Sequence, residues 1–179
     1  MENAINIKGF HGTSQELSQS IIQQGFKSSG CSEWFGEGVY FFETYSTLTD
    51  GFIEARDWAR IVKGFSRWSV IFSTIKTIDY IDLVDNIEHK KIYDRIKEKM
   101  LEIHAKSGQN IDNFTETTIF LEMQRSLDVD VIRCLVDSMK NRGYYSFVVR
   151  RPQVQVCVKN VQCIFGISIY REGVYEQRH

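Results

Sequence analysis

The sequence predicts an α+β domain, with strands near both ends of the chain and helices concentrated in the middle. Three observations support this prediction. Runs of β-branched and aromatic residues occupy the first and last thirds, apolar residues recur at helical spacing between them, and the single proline, Pro152, leaves no Pro/Gly/Ser-rich linker between domains. The 179 residues, 42% of them hydrophobic, are enough for one core, so residues 1–179 are predicted to form a single domain.

The first third of the sequence alternates strands and helices. A strand is predicted at 5–11. Ser14 is a suitable N-cap for the helix that follows, the apolar stripe of that helix continues to Gln24, and Gly25 ends it. The remaining elements of this part are a strand at 39–42, a helix within 46–63, a strand at 68–76, and either a short strand or a turn at 78–84.

The middle of the chain, residues 84–141, is predicted to be a helical insertion. A highly charged helix spans 87–105, and two further helices are predicted at about 117–126 and 129–141. The buried side of the charged helix is predicted to carry Ile92, Ile96, Met100 and Ile103. The last third returns to β structure, with strands predicted at 145–149, 154–159 and 163–170.

The composition narrows the classes of function. A net charge of -1 argues against a generally basic surface that coats nucleic acid, although it leaves room for a local basic patch. The four cysteines lack metal-ligand spacing, which argues against a zinc site and predicts reduced thiols in a cytoplasmic protein, with Cys157 and Cys163 in the core. The N-terminal stretch MENAINIKGF has no apolar core of a signal peptide, and no run approaches the roughly 18–20 apolar residues of a membrane span.

The most specific pattern lies in residues 9–42, GFHGTSQELSQSIIQQGFKSSGCSEWFGEGVYFF. One strand ends at His11, and a second strand enters through a Gly-x-Gly that precedes Val39-Tyr40. Two strand ends with an imidazole or an aromatic ring beside glycine suit a flat slot for a ligand that carries a ring. This order of strand, His-Gly-Thr, helix ending in Gly-Phe and Gly-x-Gly-Val-Tyr-Phe resembles the poly(ADP-ribose) polymerase-like, or diphtheria-toxin-like, ADP-ribosyltransferases. The resemblance covers residues 1–60 closely and residues 150–179 loosely.

The resemblance implies a fold, a co-substrate and a set of ligand contacts. The fold is a split β-sandwich, two small packed antiparallel sheets with an NAD slot between them. His11 would hold a ribose hydroxyl through a ring N–H, and Gly12 with Thr13 would let the backbone approach NAD closely. Tyr40 and Trp58 would stack on the nicotinamide, at about 0.5–1.5 kcal/mol per aromatic pair. For Trp58, a core residue on a helix face is an equally good interpretation.

The catalytic position of the family falls on Gln155. Breaking the bond between ribose and nicotinamide builds an oxocarbenium-like centre, which a carboxylate stabilises, and the family has a Glu there. Gln155 can donate or accept a hydrogen bond but carries no charge. His11, Tyr40 and Gln155 are therefore the candidate catalytic residues. Mono-ADP-ribosyl transfer, an inactive domain that binds NAD, ADP-ribose or a partner, and an engineered Glu-to-Gln change all stay open.

The acceptor side is predicted from residues just upstream of Gln155. Gln153 matches the first position of a Gln-x-Glu pattern in toxin-type transferases, where it helps to select the acceptor. Arg150 and Arg151, next to the pair Tyr144-Tyr145, suit phosphates and bases, although a solvated charge pair is the competing interpretation. The acceptor is predicted to be a protein or a nucleic acid. A bacterial or phage toxin or effector, with an antitoxin or immunity partner, is the expected biological setting by analogy.

Overall fold

The structure, a computed structural model, describes residues 4–28, 35–108, 115–137 and 152–175. Within these ranges the strands are β1 Ile5–Ser14, β2 Val39–Glu43, β3 Arg67–Thr77, β4 Tyr80–Asp82, β5 Val131–Asp137, β6 Pro152–Val158 and β7 Ile164–Val174. The helices are α1 Gln15–Gln24, α2 Gly51–Asp57, α3 Ile87–Lys106 and α4 Glu116–Leu127, with a π-helical turn Trp58–Val62 directly after α2 and a 3-10 turn Val161–Cys163 before β7. The predicted α+β class is confirmed.

The strands form one mixed sheet in the order β4-β5-β6-β2-β1-β3-β7. β4 and β5 are parallel, and the other neighbouring pairs are antiparallel. Only the pairs Gly9↔Glu43 and Phe10↔Phe42 join β1 to β2, and beyond Phe10 these two strands diverge. The two halves, which the resemblance implies as separate sheets, are thus hydrogen-bonded to each other at one narrow seam.

The local signals of the first third predict its elements well. Ser14 accepts a hydrogen bond from the Leu17 backbone at 3.1 Å and caps α1, and Gly25 ends the helix with φ 80°. The elements predicted at 39–42, 46–63 and 68–76 are β2, α2 with its π-helical turn, and β3. The ambiguous segment 78–84 contains the short strand β4.

The helix predicted at 129–141 is wrong, because residues 131–137 form β5. This strand lies between β4 and β6, so consecutive residues of it, Val131, Ile132 and Arg133, are all buried. A buried strand has a nearly continuous apolar run, which also fits a helical stripe. The insertion 84–141 is therefore helical only in α3 and α4 among the residues described, and the predicted strand 145–149 lies outside them.

The burial predicted for α3 is wrong at its C-terminal end. No residue of α3 is buried, and Ile103 is 58% exposed. Ile92, Ile96 and Met100 are half-buried. Tyr93 and Ile96 pack against the core cluster that α4 covers, whereas Ile103 lies beyond this cluster. In the described residues, no helix combines the length and the apolar character that crossing a membrane requires.

Among the residues that the structure describes, three apolar clusters form the core, and each lies under a different helix. The first joins the strands to α1 and Phe26, the second joins β5 and β6 to α4, and the third joins β1 and β2 to α2. Cys157 and Cys163 are buried, as predicted for core cysteines. α2 packs against both β1 and β2 at their seam, and α1 packs against β1, β3 and β7. The clusters under these two helices therefore fix the position of β1 and β2 where the strands diverge.

Candidate functional site

A cleft of about 530 Å³ opens where β1 and β2 diverge. Its walls come from β1, α1, β2, the π-helical turn, β5 and β6. A volume of this size lies within the usual range for small-molecule and cofactor sites, roughly 300–1,000 Å³. The predicted site residues that line it are His11, Gly12, Thr13, Tyr40, Trp58 and Gln155.

His11 spans the gap between the two diverging strands. Its Nδ1 lies 2.8 Å from the carbonyl oxygen of Tyr40, and its ring packs edge-on against Phe26 and Phe41. A carbonyl oxygen only accepts, so Nδ1 carries the proton. In the neutral ring, Nε2 is then an acceptor for a ligand hydroxyl. The sequence predicts a ring N–H as the ligand contact, but in the structure the ring N–H of His11 donates to the Tyr40 carbonyl.

Burial lowers the pKa of the His11 imidazole below its ordinary value of 6.5, and the hydrogen bond to the Tyr40 carbonyl opposes this shift in part. The neutral ring is therefore maintained at a pH where a solvated histidine already binds a proton. A neutral histidine with a defined tautomer suits a fixed acceptor role better than it suits an acid that titrates near neutrality.

This shift predicts a pH dependence of stability. Below pH 6.5 the unfolded chain binds a proton at His11 while the folded protein resists it, so the folded state loses stability as the pH falls from 6.5 toward the lowered pKa. His11→Gln, which keeps an N–H near Tyr40, is expected to flatten this part of the profile. Denaturant unfolding at a series of pH values measures it, and identical slopes for both proteins below pH 6.5 would contradict the assignment.

Tyr40 is held by the turn that precedes β2. Its hydroxyl accepts from the Phe35 backbone N–H at 3.0 Å and donates to the Gly36 carbonyl at 2.7 Å. Its ring lies nearly parallel to that of Phe35, with centroids 6.0 Å apart. Since the turn engages the hydroxyl on both sides and His11 engages the backbone carbonyl, the ligand contact predicted for Tyr40 is with its ring. Gly36, with φ +83°, supplies the left-handed conformation that the turn requires.

Gly12 is needed for the packing of α2 against β1. A Cβ at this position would lie 1.9 Å from the backbone carbonyl oxygen of Ala55. The glycine therefore lets α2 approach β1 closely, and this contact sets one wall of the cleft. The interpretation of Gly12 as a close ligand contact stays a prediction, supported by its place in the lining.

Gly12→Ala is expected to destabilise the fold by about 2–3 kcal/mol, because the backbone of α2 must shift to admit a methyl group. Gly64→Ala is the matched control: its φ is +71°, but a Cβ there meets no atom within 4 Å. The control is expected to cost only the left-handed backbone term, about 1–2 kcal/mol. Equal losses in urea unfolding would show that Ala55 does not restrict position 12.

Trp58 begins the π-helical turn and lies against both the core and the cleft. Its ring is 6.2 Å from that of Phe42 at a tilt of 55°, and the Lys63 ammonium lies 5.3 Å from the Trp58 ring centroid. Trp58 is half-buried and lines the cleft together with Lys63. The two interpretations of Trp58, core residue and ring-stacking residue, are therefore compatible in this structure.

Gln155 and Gln153 have different surroundings although they share β6. Gln155 is half-buried and lines the cleft. Gln153 is only 6% exposed, and its amide donates to the carboxylate of Glu54 on α2. The Gln155 amide nitrogen lies 3.5 Å from the Gln153 amide oxygen. Gln153 thus lies behind Gln155 as a support, and its contact with an acceptor stays a prediction.

Three charged residues of the cleft were missed by reasoning from the sequence. Lys27 follows α1, Lys63 ends the π-helical turn, and Asp137 ends β5. Among the described residues that line the cleft, Asp137 carries the carboxylate. It gives no signal in the sequence because its segment is predicted to be a helix, and only the pairing of β5 with β6 brings it here.

Arg150, Arg151 and the Tyr144-Tyr145 pair lie outside the described residues, so their predicted acceptor contacts stay predictions. The chain matches no protein-family model, and a search of curated proteins finds no match to it. The assignment of a function therefore depends on the residues and the geometry of the cleft.

Proposed function

We propose that the protein is a mono-ADP-ribosyltransferase that moves ADP-ribose from NAD to a macromolecular acceptor. The observation that carries the proposal is that His11, Tyr40, Trp58 and Gln155, contributed by four separate elements, line one cleft at the point where β1 and β2 diverge. The seam of two residue pairs is compatible with the split β-sandwich of these transferases. A cleft between two half-sheets is a common position for a ligand that needs both a ring slot and a sugar contact.

The chemistry of the lining suits the nicotinamide-ribose half of NAD. The rings of Tyr40 and Trp58 supply apolar faces for the nicotinamide, and backbone groups of β1 and β2 supply partners for its carboxamide. His11 Nε2 accepts from a ribose hydroxyl. The exposed Lys27 and Lys63 side chains carry positive charge at the cleft, where the diphosphate of NAD brings negative charge.

In the proposed reaction the bond between ribose C1 and the nicotinamide nitrogen breaks, and nicotinamide leaves with the electron pair. The positive charge that develops on the ribose is stabilised by the carboxylate of Asp137 and by the amide dipole of Gln155. A nucleophilic oxygen or nitrogen of the acceptor then forms the new bond to C1 and releases its proton to solvent. His11 holds the ribose during both steps.

A second candidate is a domain that binds NAD or ADP-ribose, or only a partner, without transfer. The neutral Gln155, at the position where the family has a Glu, favours it, because an amide stabilises a developing cation less than a carboxylate does. The two candidates differ in one observable. A transferase releases nicotinamide, whereas a binding domain holds NAD unchanged.

The direct experiment uses NAD labelled in its adenylate phosphate, incubated with the protein and a cell lysate. The proposal expects label in the macromolecular fraction, and removal of that label by nuclease or by protease identifies the acceptor class. Absence of label, together with unchanged NAD, would overturn the transferase proposal and favour the binding domain. A cytoplasmic toxin or effector with an antitoxin or immunity partner is the setting that this activity suits, by analogy alone.

A further inference from the structure

We propose that Glu54 and Gln153 hold the Gln155 amide in one orientation, and that this chain of hydrogen bonds is built for glutamine, not glutamate, at position 155. The inference rests on the proposed function in one respect, since it gives the ligand of the Gln155 oxygen as a ribose hydroxyl. Glu54 and Gln153 are positioning residues, because neither lines the cleft.

The direction of each hydrogen bond follows from the chemistry of the first one. Gln153 turns its NH₂ toward a carboxylate oxygen of Glu54, and that oxygen accepts the hydrogen bond. The oxygen of the Gln153 amide then points to Gln155, 3.5 Å from its nitrogen, at the long end of the hydrogen-bond range. The Gln155 amide therefore has its nitrogen toward Gln153, which leaves its oxygen as an acceptor for the cleft.

Burial makes this orientation costly to reverse. Glu54 is 8% exposed and Gln153 is 6% exposed, so solvent cannot replace a lost hydrogen bond at either residue. Turning the Gln153 amide over would bring its oxygen against the Glu54 carboxylate and its NH₂ against that of Gln155. Both of these contacts would then join groups of the same kind, and the loss of two hydrogen bonds between buried polar groups is unfavourable.

The same chain of hydrogen bonds disfavours a carboxylate at position 155. An ionised carboxylate there would place an oxygen against the Gln153 amide oxygen, with no proton between them. Turning Gln153 over would satisfy the new carboxylate and leave Glu54 facing an oxygen instead. Gln155, Gln153 and Glu54 thus form a matched set, in which the Gln155 amide oxygen is the contact offered to the cleft.

A double-mutant cycle on thermal stability at neutral pH tests this chain of hydrogen bonds. Gln155→Glu is expected to lower the melting temperature by about 3–8 °C, since the Gln153 amide oxygen loses the donor at position 155. In the double variant Glu54→Gln plus Gln155→Glu, the new amide at position 54 and the amide of Gln153 can both reverse, so the chain runs in the opposite direction. We expect the double variant to regain at least half of the melting temperature that Gln155→Glu alone loses.

The control replaces another buried carboxylate of α2, Asp57, which is 7% exposed and pairs with Arg56 at 2.8 Å. Asp57→Asn is expected to add to Gln155→Glu without rescue. A Gln155→Glu variant as stable as the wild type, or additive effects of Glu54→Gln and Gln155→Glu, would overturn the proposal. If Gln155→Glu fails to fold, the side-chain amide NMR signals of Gln155 decide instead: they shift in Glu54→Gln if the chain exists and stay unchanged if it does not.

A ligand measurement separates positioning from mere stability. Glu54→Gln allows both amides to turn over, so NAD affinity is expected to fall by about 3–10-fold, while Asp57→Asn leaves it unchanged. Equal NAD affinity in wild type and Glu54→Gln would overturn the positioning role. If the wild type itself binds no NAD, the proposed function fails, and the stability cycle still tests the chain on its own.

Discussion

His11→Ala is expected to reduce nicotinamide release from NAD by about 10²–10³-fold. In the proposed reaction, the substitution removes the Nε2 acceptor for a ribose hydroxyl. It also removes the side chain that bridges β1 and β2, because Nδ1 bonds the Tyr40 carbonyl at 2.8 Å. Without this bridge β1 and β2 are no longer fixed against each other at the cleft. The variant therefore loses both the ribose contact and the relative position of the two strands. Chromatographic measurement of nicotinamide at saturating NAD gives the ratio of the wild-type rate to the His11→Ala rate.

Two further variants show whether the loss belongs to the site. His104→Ala replaces a histidine of α3, away from the cleft, and is expected to leave nicotinamide release unchanged. His11→Gln keeps an N–H that can reach the Tyr40 carbonyl, so it is expected to retain more activity than His11→Ala. Release by His11→Ala at the wild-type rate would remove His11 from the reaction.

Arg133→Met is expected to destabilise the fold by about 3–5 kcal/mol. Arg133 lies on β5, is 5% exposed and pairs with three carboxylates. Its guanidinium reaches Glu43 at 2.6 Å, Asp82 at 3.0 Å and Asp85 at 2.7 Å. The variant would leave these carboxylates beside one another without their shared cation, and two of them, Glu43 and Asp82, are largely shielded from solvent.

The pKa shifts of Glu43 and Asp85 agree with a stabilising role for Arg133. Burial raises the pKa of the Glu43 carboxyl, and the hydrogen bond from Arg133 opposes that shift. The pKa of Asp85 is lowered by the hydrogen bonds that it accepts from Tyr45 and Arg133. Arg133 therefore favours the charged form of both carboxylates. The effect matters most for the shielded Glu43, because Asp85 is exposed and also accepts a hydrogen bond from Tyr45.

Urea unfolding measures the effect of Arg133→Met, with Arg125→Met as the control. Arg125 is an exposed residue of α4, and its replacement is expected to change the free energy of unfolding by less than about 0.5 kcal/mol. A loss for Arg133→Met as small as that of the control would show that the cluster contributes little to the fold.

The part of the fold that follows from local chemistry could be predicted. The helix α1 begins at a capped serine and ends at a glycine in the left-handed region, and both signals lie within its own segment. Five of the six cleft residues in the predicted ligand set, those before residue 60, belong to β1, β2 or the turn after α2, where short motifs decide the structure. Such signals require no knowledge of distant neighbours.

The remainder depends on contacts between distant parts of the chain. The sequence predicts a helix at β5 because the apolar residues there fit both a helical stripe and a buried strand. Only the place of this segment between β4 and β6 makes it a strand. Asp137 and Arg133 could not be recognised before that strand was known. The bond from Gln153 to Glu54 joins residues 99 positions apart, and no local pattern indicates it.

The central claim is that the cleft between β1 and β2 binds the nicotinamide-ribose half of NAD. A crystal structure of the protein soaked with NAD tests it most directly. We expect the nicotinamide ring between the side chains of Tyr40 and Trp58, with a ribose hydroxyl within about 3.2 Å of His11 Nε2. NAD bound at another surface, or an empty cleft at saturating NAD, would contradict it.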